Sequence, residues 1–162
     1  MRAKLGQRCC GLLLLSIGVH CTNAALPPGL REALAEFETG ATRSTTCEGD
    51  FMIGRQKEIS RFQILPAEWQ RYSSSREYHN PNVAWKVAAK ILAERQQAFE
   101  KSAQRECDFA DIYLLWNAPG QYRRANWDRA NVSRVVRERA LRFANLMEER
   151  SRVYAAQNVA QN

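Results

Sequence analysis

Gly29-Leu30-Arg31-Glu32-Ala33-Leu34-Ala35-Glu36-Phe37-Glu38-Thr39-Gly40 sets Leu30, Leu34 and Phe37 at i, i+4 and i+7. That spacing predicts one apolar helical face, and Gly40 predicts its end. Glu38 falls at i+8 of the same series, where the pattern calls for an apolar residue. It also sits at the C-terminal end, where the helix dipole disfavours negative charge. Partial burial and the dipole would both raise its pKa. On the pattern alone, a Glu at the edge of the face, reaching water, is the simpler account.

Helices also dominate the rest of the chain. Pro66 suits the first turn of a short helix through Trp69 and Tyr72. Asn80 caps and Pro81 opens a long helix whose face is Ala84, Val87, Ala88, Ile91 and Leu92. Asp108 caps a helix that is apolar on all sides from Ile112 to Trp116, which predicts burial, and Pro119-Gly120 should stop it. A last helix begins near Val132, with Val136, Ala140, Phe143 and Met147 inward and its Arg- and Glu-rich faces in water. Residues beyond Tyr154 read as frayed. Between 41 and 61, Phe51, Met52, Ile53 and Ile59 lie among Ser, Thr, Gly and charged residues, which predicts a loop and a small two-stranded hairpin. The fold class is therefore α+β, mainly α.

With 162 residues, 45% apolar and 25% charged, the composition is that of one globular domain. Arg2, Lys4 and Arg8, the apolar run Gly11 to Val19, and the small residues before Ala25 have the layout of a secretory signal peptide, residues 1–24. Export to the periplasm or beyond the cell is the expectation, with no membrane anchor after cleavage. Loss of three basic residues and no acid lowers the net charge from +7 to +4. The remaining basic residues are scattered among acids, so nucleic acid is not an expected partner. Cys47 and Cys107 remain, and two cysteines in an exported chain read as one disulfide, worth about 4 kcal/mol on the chain-entropy account.

Several chemistries lack their residues. His20 leaves with the leader, so His79, read as a turn residue, and two cysteines cannot form the usual zinc sites. No metal and no cofactor are expected. There is no Gly-rich phosphate loop, and no motif surrounds His79 to suggest a Ser-His-Asp arrangement. Carboxylate and amide chemistry remain. A carboxylic acid kept protonated near neutral pH is what a glycosidic general acid must be.

Four segments, in order, resemble the lytic transglycosylases and goose-type lysozymes of the lysozyme-like superfamily. Phe37-Glu38-Thr39-Gly40 resembles their Glu-Ser-Gly segment, and Ile59 to Pro66 their Gly-Leu-Met-Gln-Leu-Met-Pro segment. Asn80-Pro81 resembles the start of their next helix, and Trp116-Asn117-Ala118-Pro119-Gly120 their Tyr-Asn-Ala-Gly segment. The likeness covers about residues 29–123. It implies a lysozyme-like domain over residues 25–157, with a cleft between the helices and the hairpin; the polar end of the chain reads as a short disordered tail, 158–162. It implies peptidoglycan glycan strands as substrate, cut between N-acetylmuramic acid and N-acetylglucosamine. It implies Glu38 as the acid, Gln63 as a cleft amide, and Asn117 beside Glu38 with Trp116 next to it. Amides supply both the donors and the acceptors that acetamido and hydroxyl groups need. From their own surroundings Trp116 and Tyr113 read as core, although the Tyr113 hydroxyl could reach the acid. Ser60 and Arg61 replace the usual Gly-rich approach to Gln63, which implies a bulkier cleft wall.

The reaction turns on a second carboxylate. A hydrolase usually needs one, whereas in lytic transglycosylases the substrate's own 6-hydroxyl attacks. Glu48, Asp50 and Glu58, all near the expected hairpin, are the candidates. A monomeric lytic transglycosylase is favoured over a hydrolase. The alternative is a catalytically silent domain that binds wall glycan or a partner protein.

Overall fold

The computed structural model describes residues 26–160, so the expected leader lies outside the described residues. Among them, no helix is long and apolar enough to cross a membrane. The protein is mainly helical: α1 is Leu30–Thr39, α2 Pro66–Tyr72, α3 Pro81–Ala103, α4 Phe109–Asn117, α5 Pro119–Arg124 and α6 Arg134–Ala160, with 3-10 turns at Glu48–Phe51 and Arg129–Asn131.

The run that is apolar on all sides becomes the central element. Ala110, Ile112, Tyr113, Leu114 and Leu115 of α4 are all buried, and α4 packs against α3, α5 and α6. Helix α1 lies on α6 and α2 on α3. Expected inward residues Leu30, Leu34, Ala84, Val87, Ala88, Ile91, Leu92, Ala140, Phe143 and Met147 are buried together. Burial of such side chains, about 1.5–3 kcal/mol each for the larger ones, is what drives the assembly.

Local signals act where they stand. Gly40 adopts φ 71° and its N–H closes α1 on the Glu36 carbonyl at 2.8 Å. Asn80 Oδ1 accepts from the N–H groups of Asn82 and Val83. Asp108 and Asp111 form a reciprocal capping box at the start of α4. Pro119 does end α4, yet it also occupies the first position of α5, a role that suits its missing N–H. Helix α6 starts at Arg134 and runs to Ala160, past the point where fraying was expected.

The hairpin is not formed. Among the described residues there is no strand, only an isolated antiparallel bridge between Ile59 and Ile64. The reason is backbone geometry. Lys57, Ser60 and Gln63 have φ of 64°, 65° and 52°, a region that extended strands exclude. Two successive tight turns result, closed by Lys57 N–H on the Gly54 carbonyl and Gln63 N–H on the Ser60 carbonyl. Phe51, Met52 and Ile53, expected in a strand, are exposed instead.

The expected disulfide is also absent. Cys47 and Cys107 are both free and half-buried, and they belong to separate polar clusters. Cys47 lies beside Asp50 and Arg61 before the first 3-10 turn. Cys107 precedes the cap of α4, near Asp111 and Arg105, and burial pushes its thiol up to about 12.

Candidate active site

Glu38 occupies the last turn of α1, and its side chain is only 8% exposed. It points inward rather than to bulk water. The Tyr113 hydroxyl of α4 donates to its Oε1 at 2.8 Å. Arg139 of α6 donates from Nη2 to its Oε2 at 3.0 Å. The Tyr113 ring belongs to an aromatic cluster in which Phe37, Tyr113 and Phe143 pack with ring centroids 4.9–5.5 Å apart. Burial is the largest influence on the Glu38 carboxyl and raises its pKa. The Tyr113 hydrogen bond and the Arg139 charge pull it down, and the like charge of Glu58 pushes it up. Burial wins, and the net direction is upward. Tyr113 stays a donor, because burial and the neighbouring carboxylate raise its own pKa.

Glu38 opens onto a cleft of about 210 Å³. Gln56, Glu58, Gln63, Glu68, Arg95, Trp116 and Asn117 share its lining. Sequence-expected Gln63, Trp116, Asn117 and Glu58 therefore share one cleft with Glu38. Trp116 is half-buried rather than core, and Asn117 is exposed. Tyr113 is fully buried, as its apolar surroundings suggested, and reaches the acid only through its hydroxyl.

Gln63 is held by its own amide, Nε2 donating to the carbonyls of Met52 and Ser60, both at 3.2 Å. Glu58 accepts from the Gln56 N–H at 2.7 Å. Both side chains close over Gly54, where a Cβ would collide with Glu58 Oε2 and Gln63 Oε1. Glycine is what lets the two functional groups stand side by side.

The remaining acid candidates lie elsewhere. Glu48 is exposed and does not line the cleft. Asp50 is fully buried in a pair with Arg61, at 2.7 and 2.6 Å from two guanidinium nitrogens. Burial raises the Asp50 carboxyl, but Arg61 and the Cys47 N–H outweigh it and hold it below the usual carboxylate range. Arg61 also donates to the carbonyls of Arg43 and Thr45. The expected bulky cleft wall is thus an internal brace, since Ser60 and Arg61 are both buried.

Two cations of the site escaped the sequence reading, Arg139 on Glu38 and Arg95 in the cleft lining, although their registers carry a signal. Arg139 lies three residues after Val136 and four before Phe143, on the inward face of α6. Arg95 lies four residues after Ile91 on α3. Its guanidinium donates to the Leu115 and Trp116 carbonyls at 2.9 and 3.1 Å and to Glu68 at 3.0 Å. It thereby anchors the end of α4 that carries Trp116 and Asn117. Charged residues on an apolar face mark both positions, as they mark Glu38.

Among the described residues, no group of three or more His, Cys, Asp or Glu is placed to hold a metal ion. The fold and site define a mainly helical protein with a buried carboxyl opening on a polar cleft. Compared with known proteins, the chain matches no family model, no curated protein and no solved structure.

Proposed function

We propose that the chain is an exported peptidoglycan-cleaving enzyme of lysozyme-like fold, with Glu38 as its general acid and base. The observation that carries this reading is the buried Glu38 carboxyl in a cleft shared with Gln63, Trp116 and Asn117. Burial raises the pKa of the Glu38 carboxyl, the direction that favours donating a proton to a leaving glycosidic oxygen. The amides supply donors and acceptors for acetamido and hydroxyl groups, and Trp116 offers an aromatic face to a sugar ring.

In this reaction Glu38 gives its proton to the oxygen between N-acetylmuramic acid and N-acetylglucosamine as the C1–O bond breaks. The resulting carboxylate then takes the proton of the muramic 6-hydroxyl, whose oxygen bonds to C1 and closes a 1,6-anhydro ring. The route needs one carboxylate and no water, which favours a lytic transglycosylase. Of the three proposed second acids, only Glu58 lines the cleft. Water activated by Glu58 would give the hydrolytic alternative.

Digestion of purified peptidoglycan followed by mass spectrometry tests the proposal. Anhydro-muramic ends are expected, and reducing ends would reassign the enzyme as a hydrolase. Glu38→Gln is expected to fold and to slow release by at least about a hundredfold. Release at the parent rate would overturn the role of Glu38. Binding of glycan with no release from the parent protein would indicate a silent binding domain.

A further inference from the structure

The guanidinium of Arg139 bonds the one Glu38 oxygen that Tyr113 leaves free. It is also held over two aromatic rings, its carbon 5.6 Å from the Phe37 centroid and 5.7 Å from that of Tyr113. Those two rings pack edge to face with each other, their centroids 5.0 Å apart. Glu38, Phe37, Tyr113 and Arg139 therefore form one unit drawn from α1, α4 and α6. The arginine side chain is 40% exposed, while the carboxyl it holds is 8% exposed. A cation in that position costs little to keep charged, yet it acts on a group that water barely reaches.

We propose that Arg139 is a positioning residue for Glu38, fixing the orientation of the carboxyl and setting the pH at which it loses its proton. This rests on the reading of Glu38 as the acid only for its catalytic consequence. The geometric coupling stands without it.

The charged neighbours of Glu38 divide by element. On α6, Arg139 faces it directly. On α4, the Tyr113 hydroxyl does so. From the turns at 54–64, Glu58 opposes its ionisation. Across the cleft, Glu68 and Arg95 are paired with each other. At the 3-10 turn, Asp50 is neutralised by Arg61 while Glu48 is exposed. Farther along α6, Arg150 is paired with Glu36 of α1. Arg139 is thus the one cation bonded to Glu38 among the described residues, opposed by Glu58. Without it, burial and Glu58 act against Tyr113 alone, and the carboxyl keeps its proton to higher pH.

The experiment is carboxyl-carbon NMR titration of the full chain labelled at glutamate, with Glu38→Gln used to assign the Glu38 resonance. Arg139→Met keeps the length and removes the charge. It is expected to raise the Glu38 midpoint by about one pH unit or more. Arg139→Lys, which restores a cation, is expected to bring it most of the way back, whereas Glu58→Gln is expected to lower it. Should Met at position 139 unfold the chain, Arg139→Gln carries the same test. An unmoved midpoint in the charge-free variant overturns the proposal. A moved midpoint in a protein that releases no muropeptides would sustain the coupling and refute the muralytic function. In an active enzyme, the upper pH limit of release is expected to rise with the midpoint.

Discussion

Glu38 and Arg139 stand 101 residues apart in the chain and 3.0 Å apart in the fold. Each interrupts an apolar face, Glu38 on α1 and Arg139 on α6, and those helices pack against each other. Two departures from a hydrophobic pattern thus answer one another. A buried carboxylate without such partners would be costly, and here Tyr113 and Arg139 satisfy one oxygen each. Burial outweighs their joint effect, and the pKa of the carboxyl is raised above its ordinary value.

The Tyr113 hydroxyl favours the ionised form of Glu38, so its removal favours the protonated form. Tyr113→Phe keeps the ring against Phe37 and Phe143 and is expected to cost about 1–2 kcal/mol in stability. The Glu38 pKa moves further up. A carboxyl raised by folding stabilises the native state fully below its unfolded pKa, and that contribution fades as pH climbs through the folded value. The variant should therefore hold that contribution to higher pH than the parent. Urea unfolding at a series of pH values checks this, and a pH dependence identical to the parent's would contradict it.

Gly54 lies under Glu58 and Gln63, and both colliding atoms are the ends of flexible side chains. Gly54→Ala should displace them at small cost to the fold. The expected outcome is a melting temperature within a few degrees of the parent and a clear loss of glycan cleavage. Unchanged turnover with a correctly folded variant would show that neither side chain need stay where it is.

Arg61 and Asp50 form a buried pair, 3% and 0% exposed in their side chains. Arg61→Met leaves the Asp50 charge uncompensated and frees the carbonyls of Arg43 and Thr45. A destabilisation of about 3–5 kcal/mol is expected at neutral pH from chemical denaturation. In the parent, Asp50 is held below its ordinary pKa. Its stabilising share is present above the unfolded pKa and is lost as pH falls through the folded value. The gap between variant and parent should therefore narrow in acid.

Cys107 is half-buried, and its thiol is pushed up to about 12. Since the thiolate is the reactive form, iodoacetamide at pH 7.5 should modify Cys107 far more slowly in the native chain than in urea. Peptide mass mapping without reductant reads this directly. A Cys47–Cys107 linked peptide from the native protein would refute the unpaired arrangement.

Near-neighbour patterns carried the helices. The spacing Leu30, Leu34, Phe37, the cap at Asn80 and the uniformly apolar run at Ile112–Trp116 each act within a turn or two, so a one-dimensional reading reaches them. The segment from 41 to 65 was not legible in this way. Phe51, Met52 and Ile53 have strand-like composition, but positive φ at Lys57, Ser60 and Gln63 breaks the ladder. No local propensity announces that conformation in Lys, Ser or Gln. The acids there were equally opaque. Glu48, Asp50 and Glu58 look alike as residues, yet one is in water, one is locked to Arg61, and one lines the cleft.

The amino-acid order alone determined the stretches that become α1, α2, α3, α4 and α6, though not α5, and that a carboxyl would interrupt the first one, because helical period and capping depend on residues a few positions apart. Only the tertiary structure decided what that carboxyl meets. Tyr113, Arg139 and Glu58 come from distant parts of the chain, and their effect on its proton depends on distance and burial, which exist only once α1, α4, α6 and the turns at 54–64 have come together.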